Sequence, residues 1–365
     1  MSTTSSKKSR VIFIDLMRAF AVFMMVQGHT TDSVLADSCR DYNSPIYSFW
    51  NFMRGITAPI FLFTMGTTFN YLFKLNGKPF SRNPRVKKGI FRFLLLLFLG
   101  YMMRYPTFSV IYFDKVTPQE WQTFFVVDVL QLMAFGILFI LGIEYIAEKL
   151  KIEDYKLLGA FAFLVFAVSP FFEKIHWTDF FHPIVANYFY KGGGSYFPLF
   201  PWLSYIFCGA ILGDYLARNP VVYKTKDFSI RIAVVGFAFI CASLVGDLIE
   251  VLILGQSYLW TTSPNLVLFR IGLVLELYAA VSFLALEIEH IPSIIVLAGR
   301  HTLFIYVLHV VILYGSAWTP GLPKNIARSL NFWQSMVAVV IMLLAMAVVV
   351  EILNFIQTKR KAKVN

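Results

Sequence analysis

The chain has 365 residues, of which 58% are hydrophobic, 17% aromatic and only 15% charged, with a mean hydropathy of +0.67. So apolar a composition at this length rules out a soluble globular domain and reads as an all-α, polytopic membrane helical bundle. The formal net charge of +11 is carried by Lys and Arg in short connections beside apolar runs, which is a topology signal, so no nucleic-acid partner is expected.

Apolar runs of near twenty residues, bounded by polar or Gly/Pro-rich stretches, give about ten candidate transmembrane spans. They cover about 11–30, 49–73, 89–105, 124–147, 157–172, 198–217, 231–252, 266–287, 294–315 and 333–357. The segment after the basic start is too long and too charged for a cleaved signal, so it is kept as the first span. With a cytoplasmic N-terminus, the inner connections hold Lys7, Lys8 and Arg10, the cluster Lys74 to Arg92, Lys149, Lys151 and Lys156, Arg218 to Arg231, and the tail from Lys359. The outer loops then hold only Arg40, Lys115, Lys174, Lys191, Lys324 and Arg328, so both termini are expected in the cytoplasm. Residues 1–365 read as a single transmembrane domain, with 1–10 and 358–365 as basic tails. Trp50, Trp121, Trp177, Trp202, Trp260, Trp318 and Trp333 all fall at outer ends or in outer loops. They are an aromatic belt, or in part a platform for an extracytoplasmic ligand such as a sugar. Cys39, Cys208 and Cys241 give no disulfide framework.

The first span carries Asp15, Arg18 and His29, which a plain anchor avoids because each charge at membrane depth costs about 2.5–3.5 kcal/mol. At about 100° per residue the three share one helix face, with His29 roughly 16 Å along the axis from Arg18. Either Asp15 and Arg18 form a structural pair, or the stripe is a reaction path. The second span has Arg54 near its outer end and a small-residue stretch, Gly66 to Thr68, suited to close helix contact. The basic loop after it, with Arg85, Lys87 and Lys88, is a positive-inside signal or a cradle for phosphates. Arg104, Asp128 and Gln131 lie at the same outer depth as Arg54 and His29, either as interfacial residues or as walls of a polar pocket. His176, Asp179 and His182 have poor metal-ligand spacing, and no metal is expected. Gly192 to Gly194 form a joint, not a nucleotide loop, since no strand precedes and no Gly-Lys-Ser/Thr follows. Asp247 and Glu250, one turn apart, are paired carboxylates of the kind glycoside hydrolysis uses, but ion pairing with neighbouring arginines is the safer reading. His309 is mid-membrane, either as a packed core histidine or in the site, while Arg300 and His301 lie toward the cytoplasm.

Arg18 and His29 stand with ten residues between them, and the chain continues with APIFLF and MG at 58–66, VDVLQ at 127–131, the run from Phe197 to Leu216, and AGRHTLFIYVLHVVILYG at 298–315. In this order the segments resemble the integral-membrane acyltransferases, the group holding the acyltransferase-three family and the heparan-glucosaminide N-acetyltransferase-like proteins. The resemblance implies ten or eleven helices. It implies transfer of an acyl group, usually acetyl, from cytoplasmic acyl-CoA to a hydroxyl or amine across the membrane, commonly on a glycan or lipid-linked saccharide. His29 then fits as general base, since imidazole titrates near neutral pH. Asp15 and Arg18 would line the donor channel, and Arg18, Arg85, Lys87, Lys88 and Arg300 would hold the donor. Arg54, Arg104, Asp128, Gln131, Trp202 and His309 would face the acceptor. Some heparan-type proteins have a histidine in the loop after the first helix; residues 31–48 here contain none, so His29 must carry that role. The expected location is the plasma membrane (the inner membrane of the cell), among lipids, with homo-oligomerisation left open. A proton-coupled transporter or flippase of an envelope precursor is the alternative, though it predicts inverted repeats, and none is evident.

Overall fold

A computed structural model describes residues 11–260, 263–288, 290–323 and 325–362. Helices account for nearly all regular structure. They are α1 (Ile12–Val34), α2 (Pro45–Lys74), α3 (Pro84–Met103), α4 (Pro118–Phe124), α5 (Val129–Leu150), α6 (Asp154–Lys174), α7 (Pro183–Ala186), α8 (Leu199–Arg218), α9 (Lys226–Leu254), α10 (Asn265–Leu284), α11 (Ser293–Arg300), α12 (Thr302–Tyr314) and α13 (Phe332–Ala362). Among the described residues there is no strand, only the isolated bridges Leu35–Leu330 and Ser316–Thr319.

Nine of the ten expected spans each overlap one long helix, and the remaining one, 294–315, is the pair α11 and α12. Eight helical segments are long and apolar enough individually to cross a membrane, and the pair α11–α12, bent by 79°, makes a ninth. The tenth, α3, has sufficient length, but Arg85, Lys87, Lys88 and Arg92 occupy its first half. Its apolar stretch is therefore confined to the second half.

Local chemistry sets the helix ends. Asn83 accepts from the Arg85 N–H, and Pro84 follows at the first helical position, which fixes the start of α3. Asp128 caps α5, and Gln131 reaches back to the Asp128 N–H in a reciprocal box. Gly255, at φ +77°, ends α9 in the left-handed conformation that glycine adopts without penalty.

Around the bundle axis, α2 and α8 make the closest approach. A Cβ on Gly209 would lie 2.0 Å from the Phe63 carbonyl oxygen, and one on Gly66 would lie 2.1 Å from that of Ile206. Backbones this close require small residues, as in membrane helix pairs generally. Outside this centre, α9 exposes Phe237, Leu248 and Leu252, and α13 exposes Val337, Ile341 and Leu344. Such apolar outward faces suit lipid.

The two ends of the bundle differ in chemistry. At one end, the connections 75–83, 151–153 and 219–225 and the helix ends beside them carry the Lys and Arg clusters. There Lys74 bridges Glu144 and Asp154, while Arg218 binds Asp154 at 2.5 Å and Asp214 at 2.8 Å. This network ties α2, α5, α6 and α8 together. The opposite, aromatic end carries the connections 35–44, 104–128 and 175–198, and the large cavity opens there.

Candidate active site

A cavity of about 1610 Å³ runs from loop residues Tyr42, Pro106 and Thr319 down to Met24 and Phe61. Helices α1, α2, α5, α8, α10 and α12 all contribute to its wall. His29 lies on it, in a helix that continues past the expected end at residue 30 to Val34. The extension places Asp32 one turn beyond His29, also on the cavity.

Behind His29 stands His309, fully buried on α12 and outside the cavity lining. Nδ1 of His29 lies 3.0 Å from Nε2 of His309, and Nδ1 of His309 lies 2.6 Å from the carbonyl oxygen of Ile305. A carbonyl only accepts, so Nδ1 of His309 carries a hydrogen. With both rings neutral, Nε2 of His309 is then an acceptor, and Nδ1 of His29 donates to it. The chain of bonds leaves Nε2 of His29 as the ring nitrogen with a free lone pair, the form a general base needs. The two rings meet edge to edge with their planes 21° apart and centroids 5.2 Å apart, and Tyr314 meets His29 edge-on at 6.1 Å.

The charged lining is largely paired. Arg54 binds Asp32 at 2.5 Å and sits over the Trp50 ring, while Arg40 holds the other Asp32 oxygen at 3.3 Å. Arg104 binds Asp128 at 2.6 Å and lies 5.5 Å over the Tyr196 ring. Two arginines of the lining, Arg54 and Arg104, are thus paired with carboxylates. Trp202 also lines it. Gln131 does not: its amide is buried against Gly100 and accepts from the Asp128 N–H at 3.2 Å.

The residues expected at the donor are not brought to this cavity. Arg18 and Asp15 lie where α1 crosses α11, since a Cβ on Gly299 would meet the Asp15 carbonyl oxygen at 3.3 Å and Arg18 Cβ at 3.4 Å. Arg300 ends α11 at the bend into α12. Arg85, Lys87 and Lys88 open α3 at the basic end, roughly 28 Å along that helix from Arg104. Asp247 and Glu250 turn out to accept from serines and Asn265, not from arginine: Ser257 at 2.7 Å for Asp247, Ser263 at 2.6 Å for Glu250. Among the described residues no His, Cys, Asp or Glu group converges as a metal site.

Sequence reasoning missed Asp32, Arg270, Tyr306 and Tyr314 on the cavity wall. Asp32 is legible as the residue one turn after His29 once the first helix is extended. Tyr306 and Tyr314 belong to the same helix as His309, offset by one turn or more.

A multi-pass helical bundle with His29 on the wall of a polar cavity defines the class of this protein, an integral-membrane protein. The family profile described as heparan-alpha-glucosaminide N-acetyltransferase, catalytic, matches residues 10–245, and the chain belongs to that family. The match covers α1 through most of α9 and includes His29; α12 and its His309 lie beyond it. No curated protein sequence matches the chain. Family and fold together support a transmembrane acetyltransferase.

Proposed function

We propose that this protein moves an acetyl group from acetyl-CoA, or a closely related acyl-CoA, on the basic side of the membrane to a hydroxyl or amine of a saccharide held in the cavity at the aromatic end. The basic end is cytoplasmic on the positive-inside rule, which puts both termini inside, and the plasma membrane is the expected location. The whole chain acts as one domain.

In this mechanism Nε2 of His29 takes the proton of the acceptor as its oxygen or nitrogen attacks the thioester carbonyl. The new C–O or C–N bond forms, the C–S bond breaks, and His29 returns the proton to the departing thiolate. His309 holds His29 in the productive tautomer. While His29 is charged, the nearby carboxylates of Asp32 and Asp128 offset the imidazolium. Arg18 and Arg300 lie on the donor's path from the basic end, and Arg85, Lys87 and Lys88 attract its phosphates.

The observation that carries the reading is the His29–His309–Ile305 chain of hydrogen bonds at the wall of an open cavity, in a chain of an acetyltransferase family. The purified full chain is expected to bind radiolabelled acetyl-CoA saturably and to pass the label to members of a saccharide panel. Absence of saturable binding would overturn it.

A further inference from the structure

Toward the cavity α12 presents a stripe of residues four apart, Tyr306, Val310 and Tyr314. His309 belongs to the same helix but is turned off that stripe to meet His29. Tyr314, at the mouth end, is 53% exposed, whereas Tyr306 is only 4% exposed and lies at the deep end. Because α12 runs from the basic end toward the aromatic end, Tyr306 sits nearer the basic end than His309 by about 4.5 Å along the axis.

Among the described residues nothing occupies the Tyr306 hydroxyl: it makes no hydrogen bond, and it is not one of the unpartnered polar atoms sealed inside the bundle. The part of the side chain that remains open therefore faces the cavity it lines. Asp128 and Arg104 lie near enough for their charges to act on the phenol, but the two are bound to each other at 2.6 Å. The Tyr306 ring meets the His309 ring edge-on, with centroids 5.8 Å apart, and the same imidazole bonds His29 at 3.0 Å. His309 thus fixes two neighbours, the base through a hydrogen bond and the phenol through packing.

A buried hydroxyl without a partner is costly, and phenylalanine fills the same space without that cost. The oxygen is therefore accounted for by something that enters the cavity. A phenol keeps its proton at neutral pH, so what it offers is a hydrogen-bond donor, not a base. The deep wall that α1 and α2 supply, with Met24, Met25 and Phe61, is apolar. In so poorly hydrated a space a fixed donor is worth most to a developing negative charge.

We propose that the Tyr306 hydroxyl is the oxyanion donor of this site, a catalytic residue that binds the oxygen of the reacting carbonyl; this role rests on the acyl-transfer reading above. As the acceptor's oxygen or nitrogen bonds to the carbonyl carbon, the π pair moves onto the carbonyl oxygen. The Tyr306 O–H donates to that oxygen and keeps its proton. When C=O re-forms, the C–S bond breaks and the thiolate takes the proton held by His29. Tyr306 stands on the basic side of His309, so a thioester arriving from that side brings its carbonyl to the phenol, while an acceptor entering from the aromatic end meets His29.

The experiment compares wild type with Tyr306→Phe as purified full chains in detergent, using two CoA derivatives. S-acetonyl-CoA carries a plain ketone one carbon beyond the sulfur, and S-trifluoroacetonyl-CoA carries in the same place a ketone that adds water and mimics the tetrahedral state. Wild type is expected to bind the trifluoroketone about 30-fold or more tightly than the ketone; Tyr306→Phe lowers that ratio about tenfold and leaves the ketone affinity within about twofold. With any panel saccharide that wild type acetylates, kcat of Tyr306→Phe falls about 10²-fold while KM for acetyl-CoA stays within about threefold. Its Tm is expected to match or exceed that of wild type, since the hydroxyl has no partner to lose. No preference in wild type, an unchanged ratio in Tyr306→Phe, or a wild-type kcat overturns the oxyanion role. A variant that melts lower or loses monodispersity makes the hydroxyl structural, and a loss confined to KM makes it a binding group; either result overturns the role as well. Failure of wild type to bind acetyl-CoA and both derivatives removes the acyl-transfer reading and this role with it, and is seen in wild type alone; the other outcomes leave that reading standing.

Discussion

Nδ1 of His29 lies 3.0 Å from Nε2 of His309, a contact between residues 280 positions apart that joins the first helix to the penultimate one. The bond orients the only histidine on the cavity wall among the described residues, and it does so from behind, leaving the cavity side of the ring free for chemistry.

His309→Ala removes the acceptor that fixes the His29 tautomer without touching the cavity. The expected result is a fall in kcat of about 10²–10⁴, with KM for acetyl-CoA changed less than about threefold. Steady-state kinetics on the purified variant reads both. A proportional rise in KM instead would make His309 a donor-binding residue.

The network at the basic end has three carboxylates, Glu144, Asp154 and Asp214, against two cations, Lys74 and Arg218. Glu144 Oε1 has no partner among the described residues. Glu144→Gln keeps the shape and removes the surplus negative charge, so it is expected to cost less than about 1 kcal/mol. Lys74→Ala leaves Glu144, only 3% exposed, without a cation and Asp154 with Arg218 alone, and is expected to cost about 3 kcal/mol or more. Denaturant titration of the two variants in detergent, compared side by side, checks the order; equal losses would contradict it.

Most of the fold is legible in the sequence because its signal is local. Lengths of apolar chain near twenty residues mark spans regardless of what packs on them, and Gly66 marks its own close contact. Two features escape for physical reasons. The bend at Arg300–Thr302 falls at a short polar break, Arg300-His301-Thr302, inside an otherwise apolar run, and hydropathy does not tell a polar stretch within a straight span from a bend. Pairing is non-local: nothing in the neighbourhood of Arg54 or Arg104 names Asp32 or Asp128 as the partner. Within the site, His29 stands out from its position at membrane depth, whereas the role of His309 needs the distance between two helices. Arg18, Arg85, Lys87, Lys88 and Arg300, proposed for the donor, stand out by charge alone, and charge does not specify which cavity a residue faces.

Gly209 sits with a would-be Cβ 2.0 Å from a backbone oxygen of α2, an atom that cannot move without moving the helix. Gly209→Val is expected to destabilise by about 3 kcal/mol, at the upper end of overpacking, and to shift the protein toward aggregate in size-exclusion chromatography. A monodisperse, equally stable variant would mean that α2 and α8 pack less closely.

Asp128 does two jobs: it caps α5, its carboxylate accepting from the Val129 N–H at 2.8 Å, and it binds Arg104. Asp128→Asn keeps the cap and loses the charge, so stability is expected to stay within about 1 kcal/mol while acetyl transfer falls about tenfold or more. Asp128→Ala loses both and is expected to be less stable by about 1–2 kcal/mol in addition. Thermal unfolding and turnover of the pair separate the two roles; full activity in Asp128→Asn would remove its carboxylate from the site.

In the proposed mechanism acetyl transfer hinges on the imidazole at position 29, so the decisive comparison is release of free CoA thiol by wild type and by His29→Ala, in the presence of the saccharide panel. The expected outcome is a loss of about 10³-fold or more in the variant, with saturable acetyl-CoA binding and a monodisperse elution profile retained. Turnover at the wild-type rate in His29→Ala would contradict the account.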